Sequence, residues 1–184
     1  MSEIMIHNAR LSFPALYVPS AYPGSEPKYN AVFMLHKETH AAVIKELAEL
    51  DKKLADAKYG KTIPKKLFHS LQDGDKEDRE EYENHYILKA KNKRRPIIVD
   101  RDKSPLVEED GRPMGGDYVN GRVRLYAWNN DTFHGILCEL QVVQFVKEGE
   151  RFGAGSSGDG LDYFTDISQE SAADAQEEVE ELYV

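Results

Sequence analysis

The chain has 184 residues, a formal net charge of −9 and one cysteine. This length buries a core without staples, and the lone Cys138 excludes an internal disulfide and a cysteine-based metal site. No apolar run is long enough to span a bilayer, and the opening MSEIMIHNARLSF lacks the basic and apolar regions of a signal peptide. The expectation is a protein of a reducing cytoplasm with no cofactor, no bound metal and no membrane partner.

Taken in order, residues 3–13 alternate as a first strand, with Ile4 and Ile6 on one side and Met5, His7, Ala9 and Leu11 on the other. Pro14 is expected to end it. Four prolines and a glycine between Pro14 and Pro27 predict a loop, whose Tyr17 and Tyr22 serve either to clamp unpaired bases or to anchor the loop. Lys28–Leu35, apolar on both faces towards its end, reads as a central strand. Thr39 as a cap, a stripe of Ile44, Leu47, Leu50 and Leu54, and a stop at Gly60 predict an amphipathic helix of about five turns. Ile63–Leu71, with Pro64 in its first turn, reads as a short second helix, followed by the charged and solvated DGDKEDREEYEN.

A third strand starts near Tyr86. Tyr86, Leu88 and Ala90 point one way and Ile87, Lys89, Lys91 and Lys93 the other, and Arg94 and Arg95 extend the cationic row to Pro96. A solvated edge strand protected by lysines would carry the same pattern, so two readings stand. Ile97–Val99 resumes the extended chain before a loop with a turn at Asp110–Gly111.

Tyr118–Trp128 and Ile136–Val146 form a long hairpin around a polar turn at Asn129–His134. One face of its first strand carries Val119, Gly121, Val123, Leu125 and Ala127; the other carries Tyr118, Asn120, Arg122, Arg124, Tyr126 and Trp128. Rings and guanidinium groups at strand spacing suit single-stranded nucleic acid, which offers unpaired bases and phosphates. A sheet covered on both sides would also place aromatics there. The glycine-rich stretch after Lys147 closes the fold, with Leu161, Tyr163 and Phe164 placed to dock the exit. Residues 169–184 hold six acidic and no basic side chains and end in Leu182, Tyr183 and Val184, the composition of a disordered acidic tail with an apolar tip. Without them the body has 27 acidic and 24 basic residues, close to neutral, with its cations clustered.

The runs Ala90–Pro96, Tyr118-Val119-Asn120 and Gln144–Glu150 resemble, in order and spacing, the single-stranded-DNA-binding proteins of tailed bacteriophages, and the resemblance covers most of residues 1–165. It implies a mainly β fold, an oligonucleotide/oligosaccharide-binding (OB) five-stranded Greek-key barrel with one long helix, over residues 1–165, and a disordered acidic tail over 166–184. Carried over by position, it puts Lys89, Lys91, Lys93, Arg94, Arg122, Arg124, Tyr126 and Trp128 at the DNA groove. It makes Glu177, Glu178, Glu180, Glu181, Leu182, Tyr183 and Val184 a tip that recruits replication proteins such as polymerase or helicase. Gly116-Asp117-Tyr118-Val119 departs from the usual Gly-Cys-Tyr-Val, and the acid argues against a phosphate contact at that corner.

The function so implied is sequence-independent protection of single-stranded DNA in phage replication, repair or recombination, in the cytoplasm of the infected bacterium, with self-association on DNA left open and no catalysis. Two rivals are a protein-interaction adaptor and a metal-dependent nuclease using Asp100, Asp102 and Glu108.

Overall fold

The computed structural model describes residues 3–152. They form strands β1 (Glu3–Ser20), β2 (Lys28–His36), β3 (Phe68–His69), β4 (Leu71–Asp73), β5 (His85–Asn92), β6 (Ile97–Val99), β7 (Tyr118–Asn129) and β8 (His134–Lys147), with helix α1 (Ala41–Tyr59) between β2 and β3. The proposed boundary at 165 and the acidic tail lie outside the described residues.

β1 pairs antiparallel with β2 and with β7, β2 pairs with β5, and β7 pairs with β8. The circuit closes where β5 meets β8 in parallel at Lys91 and Glu139. The path β1-β2-β5-β8-β7 and back to β1 is the five-stranded closed barrel of the OB type that the resemblance implied. Inside it lie Ile4, Ile6, Phe33, Leu35, Leu88, Ala90, Val123, Leu125, Leu140, Val143 and Phe145, all buried. Val119, Val123 and Leu125 point inward from β7, so the two faces predicted for that strand are the ones observed.

β1 differs from its expected form. It runs through Pro14 to Ser20, and its register slips between Ile6 and Ala9 on β7 and between Ser12 and Ala15 on β2. Asn8 (φ 52°) and Phe13 (φ 44°) sit at these slips in left-handed conformations. Each added residue turns the next side chain over, so Ile4, Ile6, Ala9 and Leu11 all point inward, although strict alternation put the two pairs on opposite faces. The loop expected from Pro14 shrinks to residues 21–27.

No helix forms over Ile63–Leu71. Beyond Lys91 and Glu139, β5 and β8 diverge, and residues 68–73 fill the wedge as β3, parallel on β8, and β4, antiparallel on β5. Ser70 joins the two from a buried position: its N–H and hydroxyl both donate to the Ile136 carbonyl, each at 3.0 Å, and its carbonyl accepts from Lys89 N–H at 2.9 Å. Backbone groups at the wedge need partners, and that demand overrides a weak helical pattern.

Helix α1 buries Leu47 and Ala55 against the barrel, with Ile44, Leu50 and Leu54 packed beside them. Gly60 ends it as expected, its N–H donating to Asp56 O at 2.9 Å with φ 59°. The cap does not form at Thr39. The residue at the helix start is His40, without a side-chain cap, and the Thr39 hydroxyl lies 3.2 Å from the His40 ring instead. Asp51 interrupts the apolar stripe and meets Nδ1 of His69 at 2.8 Å.

Candidate nucleic-acid interface

Because β8 lies between β5 and β7, the two cationic stretches of the sequence come to one outer face. Arg124 of β7 and Lys91 of β5 both stand opposite Glu139 of β8. Tyr126 follows beside Leu137, then Trp128 beside Gly135. Lys93 leaves the end of β5 close enough to Tyr126 for the two to influence each other's ionisation. Burial, ahead of the Glu139 charge, raises the Tyr126 phenol above its ordinary value, so the ring meets the solvent uncharged.

Carboxylates already hold most of the predicted cations. Lys89 pairs with Glu77 at 3.7 Å, Lys93 with Glu26 at 2.8 Å, Arg122 with Glu3, and Arg124 with Glu139 at 2.9 Å. All these partners retain access to water, where such pairs contribute little and exchange readily. Lys91 has no carboxylate partner among the described residues. Its ammonium lies 5.9 Å from the ring centre of Tyr22. Desolvation, then the neighbouring charges of Lys28 and Lys89, hold its pKa below the ordinary lysine value.

The remaining predicted residues sit further out. Arg94 occupies the exposed turn after β5, its N–H bonded to Asn92 Oδ1 at 2.9 Å. Arg122, three residue pairs down β7 from Trp128, is roughly 20 Å from it by strand rise. Arg122 borders a different, shallow groove that also takes in Met5, Val99 and Val142.

The two tyrosines of the proline-rich stretch stand in different environments. Tyr17 anchors: its hydroxyl donates to Arg112 O at 2.6 Å and Arg95 lies 5.2 Å over its ring. Tyr22, at the tip of the β1–β2 loop, is 78% exposed. The sequence reading passed over Phe68 and Phe133, which flank Trp128's end of the face, and over the acidic partners Glu26, Glu77 and Glu139. An aromatic residue inside an otherwise polar hairpin turn was the available signal for Phe133.

Asp117, the residue at the sequence departure, is engaged inside the protein. It is fully buried, accepts from the N–H groups of Met114 (2.8 Å) and Gly149 (3.2 Å), and pairs with Arg151 at 2.6 Å. The nuclease candidates are likewise engaged separately. Asp100 pairs with Arg112 at 2.5 Å, Asp102 accepts from Ser104 N–H and hydroxyl, and Glu108 lies exposed in a short helical turn. Among the described residues no three His, Cys, Asp or Glu side chains converge as a metal-holding group, and no helix is long and apolar enough to cross a membrane.

A closed OB-like barrel with clustered cations and aromatic rings on one outer face is the class to which these features point. The sequence pattern of the Enterobacter phage Enc34 ssDNA-binding protein family matches residues 2–176, and the chain belongs to that family. Putative protein p50 of Acyrthosiphon pisum secondary endosymbiont phage 1 is 34% identical over 176 residues, covering 90% of this chain and 94% of its own. The single-stranded DNA-binding protein from bacteriophage Enc34 in complex with ssDNA superposes with a TM-score of 0.76 at 25% identity, over 83% of this chain and 90% of that one. Bacteriophage T7 gp2.5, a single-stranded DNA binding protein, shares the fold at a TM-score of 0.56 and 13% identity, over 84% of this chain and 96% of that one.

Proposed function

We propose that this chain binds single-stranded DNA without regard to base sequence, along the face where β8 brings Lys91 and Lys93 beside Arg124, Tyr126 and Trp128. That juxtaposition is the observation that carries the reading, because those residues come from sequence stretches about thirty positions apart. Phosphates would replace Glu139, Glu26 and Glu77 on the exposed cations, releasing counterions with a salt slope of about −0.7 per phosphate. Unpaired bases would lie on Tyr126, Trp128 or Tyr22, adding ~1–3 kcal/mol per stacked base with little selection among them. Duplex DNA hides its base faces and would bind more weakly. Membership of a phage family of ssDNA-binding proteins supports the reading.

The acidic sequence 169–184 extends the proposal. Its six carboxylates compete with DNA for the same cations, and its apolar Leu182-Tyr183-Val184 end recruits replication proteins.

Titration of Trp128 fluorescence with oligo-dT at low and moderate salt, against duplex of equal length, tests the main reading. Salt-reversible quenching by the single strand is expected. Indifference to DNA in this titration and in a mobility shift would overturn the reading and favour an adaptor.

A further inference from the structure

Gly135 of β8 is paired on one side with Trp128 of β7 and on the other with Phe68 of β3. Three strands therefore present one level of the sheet outward. The middle position has no side chain of its own, and the ring of Phe133 takes that place. A Cβ on Gly135 would come within 2.8 Å of Phe133 Cε1 and 2.9 Å of its Cζ. The result is a row of rings across three strands, Phe68, Phe133 and Trp128, with centroids 5.8 and 6.0 Å apart and planes tilted by 43° and 44°.

None of the three rings belongs to the packed core of the barrel, and Trp128 is 43% exposed. Beyond Phe68 the surface opens into a cavity of about 410 Å³ lined by Phe68, His69, Gln72, Lys76 and Glu77, the last of which pairs with Lys89. Two levels along the strands in the other direction stand Arg124, Glu139 and Lys91, about 13 Å away by strand rise. A polymer with an anionic edge and a flat apolar edge fits that arrangement, phosphates at one level and rings at the other.

We infer that Phe68, Phe133 and Trp128 form a stacking floor for unpaired bases of a single strand, with Gly135 as the residue whose missing side chain makes room for the Phe133 ring. The inference rests on the proposed single-strand binding and assigns bases to a part of the face that Lys91, Arg124 and Tyr126 do not reach. Bases lie on the floor, not between its rings. A base inserted between two rings needs twice the ~3.5 Å contact distance, more than the spacing allows. The floor is indifferent to base identity because every base has a flat face.

The test uses the full chain, Phe133→Ala, Phe68→Ala and Phe133→Trp, with thermal unfolding to confirm that each folds. Affinity is measured for oligo-dT and for an oligonucleotide of equal length made largely of abasic residues, over a range of salt. Phe133→Ala is expected to weaken oligo-dT binding about 5- to 150-fold, to leave the salt slope unchanged and to have little effect on the abasic strand. Phe133→Trp should restore binding. Unaltered affinity for oligo-dT in a folded Phe133→Ala protein, with the salt dependence of the unmodified chain intact, overturns the floor and leaves the phosphate groove standing. Failure of the unmodified chain to bind any single strand overturns both.

Discussion

Arg124 and Glu139 face each other on paired strands with Nε 2.9 Å from Oε2, yet the Nε–H finds no hydrogen-bond partner among the described residues because it does not point at the carboxylate. The contact is one of charge alone, and it keeps a guanidinium on the outer face with part of its donor capacity unused. Glu139 also stands opposite Lys91. The Glu139 carboxylate thus moderates one cation of the proposed groove, Arg124, while Lys91, its register neighbour on β5, keeps no carboxylate partner among the described residues.

Glu139→Gln should tighten single-strand binding at low salt, by roughly two- to fivefold, with a steeper salt slope. Stability should change little, since both partners have access to water. Salt-dependent titration of the variant checks this, and weaker binding would show that Glu139 positions Arg124 instead of competing for it.

Lys91 gives the face a pH dependence. Its pKa is lowered by desolvation and by Lys28 and Lys89, so in the folded, unliganded protein its charged form is disfavoured and is lost on raising pH before that of an ordinary lysine. A phosphate opposes that shift. Binding in the alkaline range should therefore take up a proton, and affinity should begin to fall below the usual lysine pKa of about 10.4. Lys91→Arg should move that fall to higher pH in affinity measurements from neutrality upward. A profile identical to that of the unmodified chain would assign the alkaline loss to other groups.

Asp51 on α1 has a different linkage. Burial raises its carboxyl pKa, opposed by the charge and hydrogen bond of His69, and its Oδ2 has no partner among the described residues. A raised folded-state value favours the protonated form, so this group's contribution to stability is present below the ordinary carboxylate range and is lost as pH rises through the raised value. Asp51→Asn, whose Oδ1 can still accept from His69 Nδ1–H, should raise Tm at neutral pH, with the gain vanishing on acidification. A lower Tm at neutral pH would mean that the ionised pair is worth more than its desolvation costs.

Asp117→Ala removes the acceptor of the part-buried N–H groups of Met114 and Gly149 and frees Arg151. The expected loss is about 2–4 kcal/mol in denaturant unfolding. Single-strand affinity below the unfolding transition should stay unchanged, because this carboxylate lies away from the proposed groove.

Periodicity carried most of the barrel. The alternation of Tyr118–Trp128, the cationic side of β5 and the stripe of α1 each follow from a regular period read along one segment, and the structure keeps all three. What periodicity could not carry was the turning over of β1 at Asn8 and Phe13, since an inserted residue leaves no mark until the partner strand is known. The wedge formed by β3 and β4 was hidden for a similar reason: Phe68–Asp73 is extended because β5 and β8 part there, a fact of tertiary geometry. On the candidate face the cations and Trp128 were legible as residue types. Their neutralising partners Glu26, Glu77 and Glu139 were not, because Glu139 meets Arg124 through strand register and Glu26 and Glu77 reach their lysines from loops, both matters of tertiary geometry.

The double role of β1 also sets an order of events. It must pair with β2, close by in sequence, and with β7, where Ile6 meets Gly121 after more than a hundred intervening residues. A chain emerging from the ribosome can therefore assemble β1, β2 and β5 early but must leave Ile4, Phe33 and Leu88 uncovered until β7 and β8 follow. Folding should accordingly fall in the slower range of milliseconds to seconds typical of non-local β topologies, and incomplete chains that stop before the last hairpin should be the species that aggregate.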